Sequence, residues 1–106
     1  MKNKSVHRKW RKSLIFCQQG KIIEEELTFD KFVNGLHSES EYFFVYDGTS
    51  IDIAFHYEQH KKIFELNING YCDNAERYCF ATIDELIHSK LIDGKSIIEV
   101  WDKLTN

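Results

Sequence analysis

Tyr42-Phe43-Phe44-Val45-Tyr46, then Asp47-Gly48, then Ile51-Asp52-Ile53-Ala54-Phe55-His56-Tyr57 is the stretch that decides the fold. Its first five residues are aromatic or β-branched, which suits extended backbone. Asp-Gly accepts the positive φ angles that a type I′ hairpin turn needs at both central positions. Beyond the turn, Ile51, Ile53, Phe55 and Tyr57 alternate with Asp52, Ala54, His56 and Glu58. A period of two marks a strand with one buried and one wet face. Glu58 to Lys61 then turns the chain into Phe64, Leu66 and Ile68, alternating with Glu65 and Asn67, and Asn69-Gly70 is another turn signal. A short strand from Arg77 to Ala81 completes an antiparallel meander.

Outward from this sheet the period changes. Thr82-Ile83-Asp84-Glu85 and Ser96-Ile97-Ile98-Glu99 both have the form of a capping box, with Asp93-Gly94 as the break between two helices. Ile83, Leu86, Ile87 and Leu91 give the first an apolar stripe; Ile97, Val100, Trp101 and Leu104 give one to the second. Upstream, Thr28 precedes Phe29, Phe32, Val33 and Leu36, a third helical face, with Gly35 weakening its last turn. Gly20 divides two short apolar runs, which reads as a hairpin. A helix from Val6 to Gln18 is the alternative, because Val6, Trp10, Leu14 and Cys17 also fit a period of 3.6. The expected class is α+β: an antiparallel β-meander sheet of four to six strands packed with about three helices, two of them C-terminal.

The chain has 106 residues, 42% of them hydrophobic and 14% aromatic, enough for one real core and against disorder. No apolar run is long enough to span a bilayer or to form a secretory signal. Three unclustered cysteines fit a reducing compartment, so a cytoplasmic location is expected. The net charge of −3 hides a split. Residues 1–12 hold six of the fourteen Lys and Arg and no acid, which leaves eight bases against seventeen acids, or −9, in residues 13–106. We therefore expect a basic N-terminal arm (1–12) before a single acidic domain (13–106), whose field favours a basic protein partner over nucleic acid.

Reaction chemistry is hard to find. His56 and His60 are four apart but span a strand end and a turn, and Cys72 and Cys79 are too far apart for a zinc knuckle. A composite site of Cys17, His37, Cys72 and Cys79 is the remaining metal arrangement; cysteines packed as small hydrophobes are the simpler expectation. Glu24, Glu25 and Glu26 suit a strand edge guarded by charge rather than a catalytic dyad. Neither Asp47-Gly48-Thr49-Ser50 nor Asp93-Gly94-Lys95-Ser96 is a phosphate loop. No catalytic residue, metal or cofactor is expected, and the chain reads as a binding protein rather than an enzyme.

Two surfaces invite a partner. Tyr57 is an amphipathic anchor ringed by Asp47, Asp52, Glu58 and Glu65, whose charges steer a basic protein, and His56 is a further contact. His7-Arg8-Lys9-Trp10-Arg11-Lys12 interleaves base and aromatic as phosphate-and-stacking sites do, so Arg8, Lys9, Trp10, Arg11 and Lys12 are the candidate nucleic-acid ligands of an alternative reading.

The run Phe80 to Leu104 (Phe-Ala-Thr-Ile-Asp-Glu-Leu-Ile-His-Ser-Lys-Leu-Ile-Asp-Gly-Lys-Ser-Ile-Ile-Glu-Val-Trp-Asp-Lys-Leu) resembles the C-termini of small proteins on bacterial mobile elements. In general character the chain resembles the small immunity proteins of contact-dependent growth inhibition and other polymorphic toxin systems. The resemblance implies a one-to-one inhibitor covering the basic cleft of a cognate toxin, commonly a nuclease. It carries no motif from which residue roles transfer. A phage inhibitor of a host defence nuclease, of the anti-CRISPR kind, and a small nucleic-acid-binding regulator are the alternatives.

Overall fold

The computed structural model describes residues 10–70 and 72–106. β1 (Ser13–Gln18) and β2 (Lys21–Glu26) form a hairpin, followed by helix α1 (Phe29–His37). β3 (Tyr42–Tyr46), β4 (Thr49–Glu58), β5 (Lys61–Ile68) and β6 (Glu76–Phe80) pair in that order as an antiparallel meander. α2 (Ile83–His88) and α3 (Ile97–Val100), the latter running into a 3₁₀ turn (Trp101–Lys103), close the chain. The α+β expectation holds, with the strands divided into a four-stranded and a two-stranded sheet. Residues 13–18 are strand, so the helical alternative for this segment is overturned. Gln19 and Gly20 both take positive φ, which lets the chain reverse in two residues.

The register fixes which residues share a face. Tyr42, Phe44 and Tyr46 of β3 stand with Ile51 and Ile53 of β4, Phe64, Leu66 and Ile68 of β5, and Tyr78 and Phe80 of β6. This face is covered by the helices and the segments that flank them: Leu27, Phe32, Leu36, Leu86, Ile87, Ile92, Ile97, Val100 and Leu104 are buried in the same cluster. Each fully buried side chain of this kind contributes roughly 1.5–3 kcal/mol. Both predicted capping boxes form, on Thr82 and Ser96, but a cap is worth only about 1 kcal/mol. The core, not the caps, holds the short helices. α3 is briefer than its apolar stripe suggests, because Trp101 and Leu104 reach the core through a 3₁₀ turn.

Phe32 is the hub, its ring 4.9 Å from Tyr42, 5.8 Å from Phe44 and 5.0 Å from Trp101. Two lysines close helix ends around it. Lys62 donates to the carbonyls of Leu36 and Ser38 at the end of α1. Lys12 is buried, donates to the carbonyls of Trp101 (2.6 Å) and Leu104 (3.2 Å), and lies 4.5 Å from the Trp101 ring centre. Such carbonyls lack helical partners and favour positive charge. The last two residues join the sheets: Thr105 pairs with Val45 on the β3 edge, and the Asn106 side chain bonds both backbone groups of Ser13 in β1.

Gly35 shows why the last turn of α1 lacks a side chain. A Cβ there would lie 1.9 Å from Tyr42 Oη. Gly35→Ala is therefore expected to destabilise the protein by roughly 1–3 kcal/mol in urea denaturation, the usual cost of overpacking. Tyr42→Phe removes the clashing oxygen and should recover part of that loss; equal losses in both backgrounds would remove this contact from the account.

Candidate functional site

The wet face of the meander carries Phe43 and Val45 of β3, Asp52, Ala54, His56 and Glu58 of β4, Ile63, Glu65 and Asn67 of β5, and Arg77 and Cys79 of β6. At its centre is a chain of ion pairs. His56 Nδ1 meets Glu65 Oε2, His56 Nε2 lies 2.8 Å from Glu58 Oε2, and Arg77 Nη2 donates to Glu65 Oε2 at 2.8 Å. Hydrogen bonds to Glu58, then Glu65, raise the pKa of His56 above its ordinary value. Burial acts to raise that of Glu65, but hydrogen bonds from Arg77, His56 and Asn67 outweigh it and hold the carboxyl low. These acids are thus largely neutralised in place.

The other predicted contacts separate. Tyr57 lies on the opposite face from Asp52, His56, Glu58 and Glu65, where it donates to Glu39 at 2.7 Å. Alternation forbids a Tyr57 anchor ringed by those four residues: a strand's odd and even residues point to opposite sides. Asp47 and Asp52 sit toward one end of the sheet, Tyr57 and Glu58 toward the other.

That first end holds an open recess of about 440 Å³, lined by Tyr46, Asp47, Thr49, Ile51, Ile68, Asn69, Glu76, Leu91, Ile92, Asp93 and Gly94. Three of its lining residues are carboxylates, and none is Lys or Arg. Glu76 also borders an adjoining recess with Asp52 and Arg77, and its carboxylate accepts a hydrogen bond from Tyr78 (2.7 Å). Burial alone raises the pKa of Asp52. The acids gather here because of turn chemistry: Asp47, Asn69 and Asp93 all have positive φ, a conformation Asn and Asp tolerate better than other non-glycine residues. In a meander, alternate reversals fall at the same end, which brings Asp47 beside Asn69. Sequence reading identified each turn but missed Glu76 and Asp93 as neighbours of Asp47, since docking of the α2–α3 connection is a tertiary event.

The basic arm divides. Arg8 and Lys9 lie outside the described residues. Trp10 is half-buried and Arg11 exposed, and both border a recess with Glu26 and Asp102. Lys12 belongs to the fold rather than to the arm: its ammonium caps the C-terminal helix, and burial lowers its pKa. It is not presented to a phosphate.

Cys17, Cys72 and Cys79 are exposed, contrary to the packed state expected of them. Cys17 faces outward from the hairpin, Cys72 is in the β5–β6 loop, and Cys79 is on the wet face of an edge strand. Among the described residues no three His, Cys, Asp or Glu side chains are grouped to hold a metal ion. No described helix is long and apolar enough to cross a membrane. No family model matches the chain, and comparison with curated proteins and with solved structures gives no match.

The ion-pair chain has a pH signature. The folded protein holds the His56 proton more tightly than the unfolded chain, so its stabilisation is present below the ordinary imidazole value of 6.5 and fades as pH rises through the raised one. Glu65, held low, stabilises above its ordinary value of 4.5 and loses this as pH falls. Resolved by NMR, the His56 imidazole should titrate above 6.5, and Glu65→Gln should bring it down. A His56 that titrates below 6.5 in the native protein would contradict the ion-pair chain.

Proposed function

We propose that this protein acts by binding a basic protein partner, and that the acidic end around Asp47, Asp52, Glu76 and Asp93 is where it binds. One observation carries this reading: the recess at that end is lined by three carboxylates and by no Lys or Arg. Its volume lies within the range of sites that accept a ligand group, here a Lys or Arg side chain projecting from the partner. A rim of like charge gives such an encounter speed and selects the partner's sign. Glu65, in contrast, is already matched by His56 and Arg77. The reading thus keeps Asp47 and Asp52 as contacts and moves the centre of binding away from Tyr57, Glu58 and Glu65.

Within this class, the resemblance to toxin-neutralising immunity proteins supplies the specific form. The partner would be a toxin, most simply a nuclease whose cleft is basic because it binds phosphate, and the acidic end would occupy that cleft. A phage inhibitor of a defence nuclease uses the same electrostatics and differs in the partner's identity. Nucleic-acid binding by the arm is the weaker reading, because Lys12 is committed to the C-terminal carbonyls.

Asn substitutions test the charge while keeping the turns, since Asn also tolerates the left-handed conformation. With the partner captured on the immobilised chain, Asp47→Asn combined with Asp93→Asn should weaken binding about tenfold or more at low salt. The loss should shrink at high salt, and the unfolding midpoint should stay close to that of the parent. Unchanged affinity at low salt would remove the acidic end from the interface.

A further inference from the structure

We infer that the outer edge of β1 is a pairing site for β1 of a second copy of this chain. The charge pattern of the sheet edges isolates it. β2 is guarded by Glu24, Glu25 and Glu26, which are like charges against any second β2. β3 is met by Thr105, and β6 carries Glu76 and Arg77. β1, Ser-Leu-Ile-Phe-Cys-Gln, has no charge in its whole length. Among the described residues it pairs only with β2. An uncharged edge on a two-stranded hairpin, itself marginal in water, is the kind that takes on another strand.

Hydrogen-bond parity sets the register. Leu27 N–H donates to Lys12 C=O, so Lys12 and the residues two and four further on, Leu14 and Phe16, turn their backbone groups toward β2. Ser13, Ile15 and Cys17 turn theirs outward. Ser13 is already bonded by the Asn106 side chain, which leaves Ile15 and Cys17. One antiparallel alignment uses both and asks for no new backbone bond at Ser13: Ile15 opposite Cys17 of the second copy, and Cys17 opposite its Ile15. Two-fold symmetry makes this contact self-complementary, with each pair exchanging two backbone hydrogen bonds. The two Phe16 side chains become a directly opposed cross-strand pair, a favourable aromatic contact. On the other face Ile15 and Ile22, now 60% and 75% exposed, join those of the second copy in one apolar strip.

Sedimentation velocity on the full chain from about 10 to about 200 µM tests this. A concentration-dependent dimer is expected, abolished by Ile15→Lys and retained by Ile98→Lys, which charges another exposed isoleucine. Ile15→Cys in a chain with Cys72→Ser and Cys79→Ser should form a covalent dimer through Cys17 on mild oxidation, since opposed residues of this kind lie within disulfide reach. A monomer at every concentration that also fails to cross-link overturns the inference. So does a dimer that Ile15→Lys leaves intact, or a monomer in which Ile15→Lys abolishes capture of a different protein, which would give the edge to a partner's strand.

Discussion

One-sided burial of the four-stranded sheet is the constraint from which the rest follows. The helices and the C-terminal turn all pack on the face of Phe44, Ile53 and Leu66, and Phe32 and Trp101 seal it. Everything polar must then go to the wet face, to the two ends, or to the hairpin. Lys12 is a forced exception. Its ammonium enters the structure because the Trp101 and Leu104 carbonyls at the end of the helical layer need a donor, and this ties the start of β1 to the end of the chain.

The same constraint sorts the charges by role. On the wet face the strands hold acids and bases opposite one another, and Glu65 meets His56 and Arg77 without leaving the sheet. Neutralised pairs of this kind suit structure better than steering. At the recess end the carboxylates of Asp47 and Asp93 sit on turns, where the backbone, not a counter-charge, decides which residue is tolerated. Charge that arises from turn chemistry is left to face solvent, as the exposed Asp47 and Asp93 are.

The sheet was readable because its signals are local. Tyr42 to Tyr46, Asp47-Gly48 and the alternation from Ile51 to Tyr57 each name a conformation without reference to distant residues. So do Thr82 and Ser96 with their glutamates three positions on. Gln59 and His60 were harder, since they make a tight turn with positive φ at both positions and no glycine. The site was only half legible. Alternation in β4 already separates Tyr57 from Asp52 and Glu65, so that grouping could have been rejected from sequence. The inward turn of Lys12 and the approach of Asp93 to Asp47 could not, because both depend on where the C-terminal segment docks.

Mapping the bound surface residue by residue puts the central claim to its most direct test. In a ¹⁵N-labelled chain titrated with its captured protein partner, amide shifts should concentrate at Asp47, Gly48, Asn69, Glu76, Asp93 and Gly94. Shifts centred instead on His56, Glu65 and Arg77, or confined to residues 10–12, would contradict the acidic end as the binding surface.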